Sequence, residues 1–202
     1  LEQQEPTELN PGWSVDPELF EYVKKLVPPP ATVLELGSGA STLRWASLGY
    51  KVITIEHDQA FVKPNTNRIT YVYAPIEPFG PSNPQLPSTL KRIPDHTGWY
   101  NRDAVAKGLR DVSYDCIVVD GPTGDIGRSG FFANLNLFPR LDVPILFDDQ
   151  HRLDDLYIAL RVATRLGRDL LITNNGETPV AQKPNGDWKA EAKKPFGVVL
   201  CR

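Results

Sequence analysis

The sequence predicts an α/β domain with a doubly wound, mostly parallel seven-stranded sheet and an antiparallel strand supplied by a C-terminal hairpin. Three observations carry this. Short apolar runs recur along the chain, helical patterns alternate with them, and the last two runs follow one another with no convincing helix between. Strands that read as continuous apolar runs belong to a sheet covered on both faces, since a half-solvated sheet alternates apolar and polar residues.

The first 30 residues form a helical lead-in, and 31–202 the domain proper. Asp16 caps a first helix, Pro17 suits its first position, and Leu19, Phe20, Val23, Leu26 and Val27 form its apolar stripe before Pro28-Pro29-Pro30 stops it. A strand at 32–36 runs into Gly37-Ser38-Gly39. A helix spans roughly 41–48 and closes on Gly49. The second strand, 52–55, ends on Glu56, and a poor helix broken by Pro64 leads to a third strand at 69–73. Residues 75–99 show little periodicity and read as a long loop, of the kind that is functional or mobile in a compact domain. Then come a helix at 102–109, a strand at 116–119 ending on Asp120, and a helix at 131–137. A strand at 144–147 ends on Asp148-Asp149, and an amphipathic helix at 153–166 is capped by Gly167. The hairpin pairs 170–173 with 196–200 across the polar stretch 174–194.

Composition bounds the function. A chain of 202 residues with 41% hydrophobic and 23% charged residues is one ordinary soluble domain that needs no covalent staple. The net charge of -3 offers no broad basic surface, so nucleic acid is not an expected partner. No apolar run is long enough to cross a bilayer, so no membrane partner is expected. The polar start is unlike a signal peptide, and the expected compartment is cytoplasmic. Cys116 and Cys201 both sit in apolar runs and read as buried thiols.

In such sheets ligands bind beyond the carboxyl ends of the strands. Glu35, Glu56, Asp120 and Asp148-Asp149 all stand there, and a carboxylate at the end of a buried strand is costly unless it is used or paired. Gly37 and Gly39 let the backbone turn sharply and approach a ligand closely. Glu56, 19 residues beyond Gly37, is placed to accept hydrogen bonds from two ribose hydroxyls.

Three segments together resemble class I S-adenosylmethionine-dependent methyltransferases, across roughly 31–202: Val33-Leu34-Glu35-Leu36-Gly37-Ser38-Gly39, Ile55-Glu56-His57-Asp58, and Tyr114-Asp115-Cys116-Ile117-Val118-Val119-Asp120-Gly121. The resemblance implies a Rossmann-like fold, S-adenosylmethionine as cofactor and methyl transfer as the activity. It implies a cofactor site of Glu35, Gly37, Ser38, Gly39, Ser41, Glu56, His57 and Asp120. Glu35 would be at the methionine end, and the segment from Ala74 to Glu77, with Pro75 and Ile76, would be near the adenine. A nicotinamide oxidoreductase would more often show a third glycine where this chain has Ser41, and no hydride-transfer constellation is present.

The chemical end falls to Asp120, Asp149 and His151, as positions able to orient an acceptor or take its proton. Two narrower resemblances compete. The spacing from Asp120 to Asp148-Asp149 is similar to metal-dependent O-methyltransferases of the catechol type, which implies a magnesium ion held by Asp120, Asp148 and Asp149. Thr123 stands where those enzymes commonly carry a lysine. Val119-Asp120-Gly121-Pro122 and Asp149-Gln150-His151-Arg152 resemble polysaccharide methyltransferases acting on glucuronic acid side chains of xylan. Either implies O-methylation of a small molecule or sugar. The rival from another class is a non-catalytic adenosylmethionine- or nucleotide-binding module in which the acids are structural. Asp149 would then cap the following helix. His96, Trp99 and Tyr100 read either as a lid or sugar-stacking surface or as a local mini-core. Arg128, between Gly127 and the Ser129-Gly130 pair, reads as an anion-binding group or as the partner of a nearby acid.

Overall fold

The computed structural model describes residues 15–79, 98–173 and 195–201. Its main sheet has seven strands: β1 (Thr32–Leu36), β2 (Lys51–Glu56), β3 (Ile69–Tyr73), β6 (Cys116–Val119), β7 (Ile145–Phe147), β8 (Leu170–Thr173) and β9 (Phe196–Val199). Their order is β3-β2-β1-β6-β7-β9-β8. The first five are parallel, and β9 runs antiparallel to both β7 and β8. This is the expected Rossmann-like architecture, hairpin included. Strand order reverses between β1 and β6, so the crevice for a ligand opens above that pair.

Side-chain alternation divides the core. Leu34, Leu36, Ile53, Ile55, Ile117, Val119, Ile145 and Phe147 face α3 (Arg102–Leu109), α4 (Ser129–Ala133) and α5 (Leu153–Leu166), meeting Val105, Phe131, Ile158 and Val162. Val33, Val52, Cys116, Val118, Leu146 and Val198 face α1 (Pro17–Leu26) and α2 (Ala40–Ser47), meeting Phe20, Val23 and Trp45. The lead-in helix is therefore part of the core. Asp16 caps it, accepting from the Glu18 amide at 2.9 Å, and the Phe20 and Trp45 rings lie 4.1 Å apart.

Three expectations are corrected. No helix forms between β2 and β3. Thr66 Oγ1 accepts from the Arg68 and Ile69 amides, and Asn65 Oδ1 accepts from the Tyr71 amide, so side chains beyond Pro64 fix the entry into β3. The segment 75–99 is not wholly a loop, since β4 (Ile76–Pro78) pairs antiparallel with β5 (Gly98–Tyr100). Trp99 and Tyr100 are buried in the core, as the mini-core reading required. Trp99 packs so closely on α4 that a Cβ at Gly130 would stand 2.1 Å from its Cγ. His96 and the rest of the expected lid lie outside the described residues. Finally, Cys116 is buried but Cys201 is exposed, because it follows the end of β9, where the chain leaves the sheet. Among the described residues no helix is long and apolar enough to cross a membrane.

Candidate active site

A cleft of about 570 Å³ opens at the carboxyl ends of β1, β2, β6 and β7. Its floor is backbone. Gly37, with φ 91°, follows β1, and a Cβ on Gly121, which follows β6, would stand 2.7 Å from Gly37 Cα. A side chain at either glycine would fill this floor.

One half of the cleft is lined by Ser38, Ser41, Glu56, His57, Asp58 and Phe61. Glu56 is buried and bonded on both carboxylate oxygens. Oε2 accepts from the Ser38 amide at 2.7 Å and the Ser38 hydroxyl at 3.0 Å. Oε1 accepts from the amides of His57 and Asp58, both at 2.7 Å, and His57 Nδ1 stands 2.9 Å away. Burial alone would raise its pKa, but these donors outweigh it and hold the carboxyl below its usual range. The same contact raises His57. Glu56 thus ties the β1 turn to the β2 turn. Phe61, which the sequence did not single out, lines this half with 43% of its surface exposed.

The other half is lined by Asp120, Thr123, Asp125, Arg128, Asp148, Asp149 and Arg152. Arg128, just ahead of α4, is only 3% exposed. Its guanidinium donates to the carbonyls of Asp120 at 2.6 Å and Asp148 at 3.2 Å, and to the carboxylates of Asp120 at 3.2 Å and Asp149 at 3.0 Å. Asp155 of α5 lies 3.5 Å from it. Arg128 is therefore the partner of nearby acids, one of the two roles read from sequence. Burial opposes its charge, but the surrounding carboxylates outweigh burial and raise its pKa. Asp149 has φ 59°, a left-handed conformation that aspartate tolerates better than most residues. Its carboxylate also meets Arg152 at 3.1 Å.

Asp120, Asp148 and Asp149 each bring one oxygen within 4.8 Å of the others. Asp148 is buried, and among the described residues its Oδ1 has no hydrogen-bond partner. Burial first, then the neighbouring Asp120 and Asp149, push its pKa well above the usual carboxylate range, against the pull of Arg128. Hard carboxylate oxygens at this spacing, one of them unmatched, fit a divalent cation.

The remaining expected site residues lie elsewhere. Glu35 does not line the cleft. It is the fourth of five residues in β1, on the same side as Val33, and its carboxylate points beneath α2. There Oε2 accepts from the Thr42 hydroxyl, which in turn accepts from the Gly39 amide at 3.0 Å. Pro75, Ile76, Gly39 and His151 are also absent from the lining. The His151 imidazole faces Asp149, 3.8 Å from Oδ1.

No family model matches the chain, and no curated protein matches it. Several solved structures are similar in fold. One is the MycE methyltransferase from the mycinamycin biosynthetic pathway, solved with Mg and SAH: identity is 15%, coverage 92% of this chain and 46% of that one, TM-score 0.46. This chain spans about half that protein's length. A second is a TehB-like SAM-dependent methyltransferase from Corynebacterium glutamicum, at 15% identity, coverage 92% and 87%, and TM-score 0.48. A third is a spermidine synthase from Thermotoga maritima, at 14% identity, coverage 91% and 60%, and TM-score 0.46. The likeness is one of fold alone.

Two outcomes follow from the buried charges. Burial, only partly offset by bonds from Thr42 and Ser41, raises the Glu35 carboxyl from 4.5 to about 7. The folded protein then holds this proton more tightly than the unfolded chain. The Glu35 contribution to stability is greatest below pH 4.5 and is lost as pH rises to 7, by roughly 3 kcal/mol in all. Urea denaturation across that window should show a pH slope that Glu35→Gln flattens. Removing the Arg128 charge by Arg128→Met leaves four buried or half-buried carboxylates without it. Unfolding should then come about 3–5 kcal/mol earlier at pH 7, measured in the same way.

Proposed function

We propose that this protein is an S-adenosylmethionine-dependent methyltransferase that acts on a hydroxyl of a small molecule or sugar. The observation that carries the reading is a single cleft that joins a glycine-floored nucleoside half at Glu56 to a carboxylate cluster at Asp120 and Asp148. Adenosylmethionine needs backbone that it can approach closely and a carboxylate for its ribose, and Gly37, Gly121 and Glu56 supply both. Ribose hydroxyls reach Glu56 by displacing the Ser38 hydroxyl from Oε2 and the His57 imidazole from Oε1. That frees one position on each oxygen and leaves the three backbone donors in place.

In the reaction the acceptor oxygen attacks the methyl carbon in line with the departing sulfur. The C–S electron pair leaves as a thioether, and the acceptor proton passes to a base. Asp120, Asp148 and Asp149 would hold a magnesium ion, which orients an acceptor and lowers the pKa of its hydroxyl when bound. Arg128 holds Asp120 and Asp149 in place by fixing the ends of β6 and β7, which keeps the carboxylates positioned for an acceptor. A metal-free reading has one observation in its favour: Arg128 already offsets charge in the cluster. The buried Asp148 is then the proton acceptor.

Calorimetry should show S-adenosylmethionine binding and no NAD binding. Glu56→Ala should weaken the former by more than about tenfold, since hydrogen bonds to a charged group each contribute roughly 1.5–3 kcal/mol. Because Glu56 also joins two turns, the variant's melting temperature must be read beside its affinity. Binding of NAD alone would remove the methyltransferase reading. With a panel of sugars and phenols, chelator and Asp149→Asn should each abolish activity while cofactor binding persists, and His151→Ala should be tolerated. Activity that survives chelator and dies in Asp148→Asn would instead establish the metal-free route.

A further inference from the structure

Tyr100 is fully buried, yet its hydroxyl has no hydrogen-bond partner among the described residues. Buried phenols ordinarily find one, because an unmatched hydroxyl out of water is costly. The residue has little freedom to search. Its backbone is paired to Ile76 in the β4–β5 ladder. Its ring lies 5.5 Å from that of Trp99 and 6.1 Å from that of His57, both edge-on.

Tyr100 is part of the cleft lining, and a Cβ on Gly121 would stand 2.4 Å from the phenolic oxygen and 2.7 Å from Gly37 Cα. The oxygen therefore lies at the seam where the β1 and β6 turns touch. Glu56 and Asp120 both act on it electrostatically, and among the described residues neither is bonded to it. Burial and these acids, against Arg128, keep the phenol protonated, so it is a donor and not a base.

We propose that Tyr100 binds the adenosyl ligand: its hydroxyl donates a hydrogen bond at the middle of the cleft floor, between the ribose at Glu56 and the reacting end at Asp120. The assignment rests on the adenosylmethionine reading above and goes beyond it, since neither the strand-end pattern nor the resemblance marks this residue. It gives the β4–β5 hairpin a function, that of carrying a donor from the core into the cleft.

The test is calorimetric titration of the wild type and Tyr100→Phe with S-adenosylmethionine and S-adenosylhomocysteine, beside thermal unfolding of both proteins without ligand. Affinity should fall about three- to tenfold in the variant, the range for one neutral hydrogen bond. Its melting temperature without ligand should stay level or rise, because an unmatched polar group is removed. A purely structural role would not move the two in opposite directions. An equal loss for both ligands puts the partner on a shared atom, and a loss confined to S-adenosylmethionine puts it at the sulfonium. Either supports the assignment. Unchanged affinities overturn it while the adenosyl reading stands, and a wild type that binds neither ligand overturns both. Should Tyr100→Phe fail to fold, 3-fluorotyrosine at position 100 replaces it. Its fluorine resonance should shift on saturation with S-adenosylhomocysteine, and a fixed resonance in saturated protein overturns the assignment.

Discussion

The cleft depends on one buried cation. Arg128 binds the main-chain carbonyls that end β6 and β7, and through the same group it offsets carboxylates from both strands and from α5. Without that charge, Asp120, Asp149 and Asp155 would repel one another in a region with little water to screen them. Burial still raises the Asp155 carboxyl to about 6, against the pull of Arg128, so the compensation is incomplete. The planar fork of guanidinium donors suits this task, since it addresses backbone and side-chain oxygens at once in fixed directions.

The carboxylates at the strand ends answer their desolvation in different ways. Glu56 is satisfied by backbone amides of two turns and is held ionised. Glu35 leans on the Thr42 hydroxyl and stays half protonated near neutrality. Asp148 has an oxygen unmatched among the described residues, beside two like charges. Acidic side chains near the strand ends of one sheet thus span fixed charge, titrating group and unmet acceptor. Perturbed carboxyls of this kind concentrate where proteins bind and react.

Much of the fold was legible because its signals are local. Apolar runs marked all seven strands of the main sheet, and glycines and prolines marked their ends. The β4 strand was not legible: Ile76-Glu77-Pro78 has no strand pattern and exists through pairing with Gly98–Tyr100. Glu35 was expected in the cleft from its nearness to the strand end, and it does not line it. Its step of two from Val33 sends it to the face covered by α1 and α2, a signal that was present. The role of Arg128 was only half legible, since the flanking glycines suggest a flexible loop. Four acids at 148, 149, 154 and 155 did imply a missing countercharge, but which residue supplies it is decided by three-dimensional packing. The Tyr100 hydroxyl was invisible for the same reason. A buried donor lacking a partner is a property of the folded surroundings and leaves no trace in residue order.

The contact between Gly37 and Gly121 carries a longer consequence. The main chains of the two turns meet directly here, with the Tyr100 hydroxyl beside them. The separation between two ligands, one on each half, is therefore set by the hydrogen-bonded register of β1 against β6. Substitutions around the rim, at Thr123, Asp125 or Arg152, can reshape what is admitted while that gauge stays fixed. A change in what the rim admits therefore leaves the spacing across the floor unaltered.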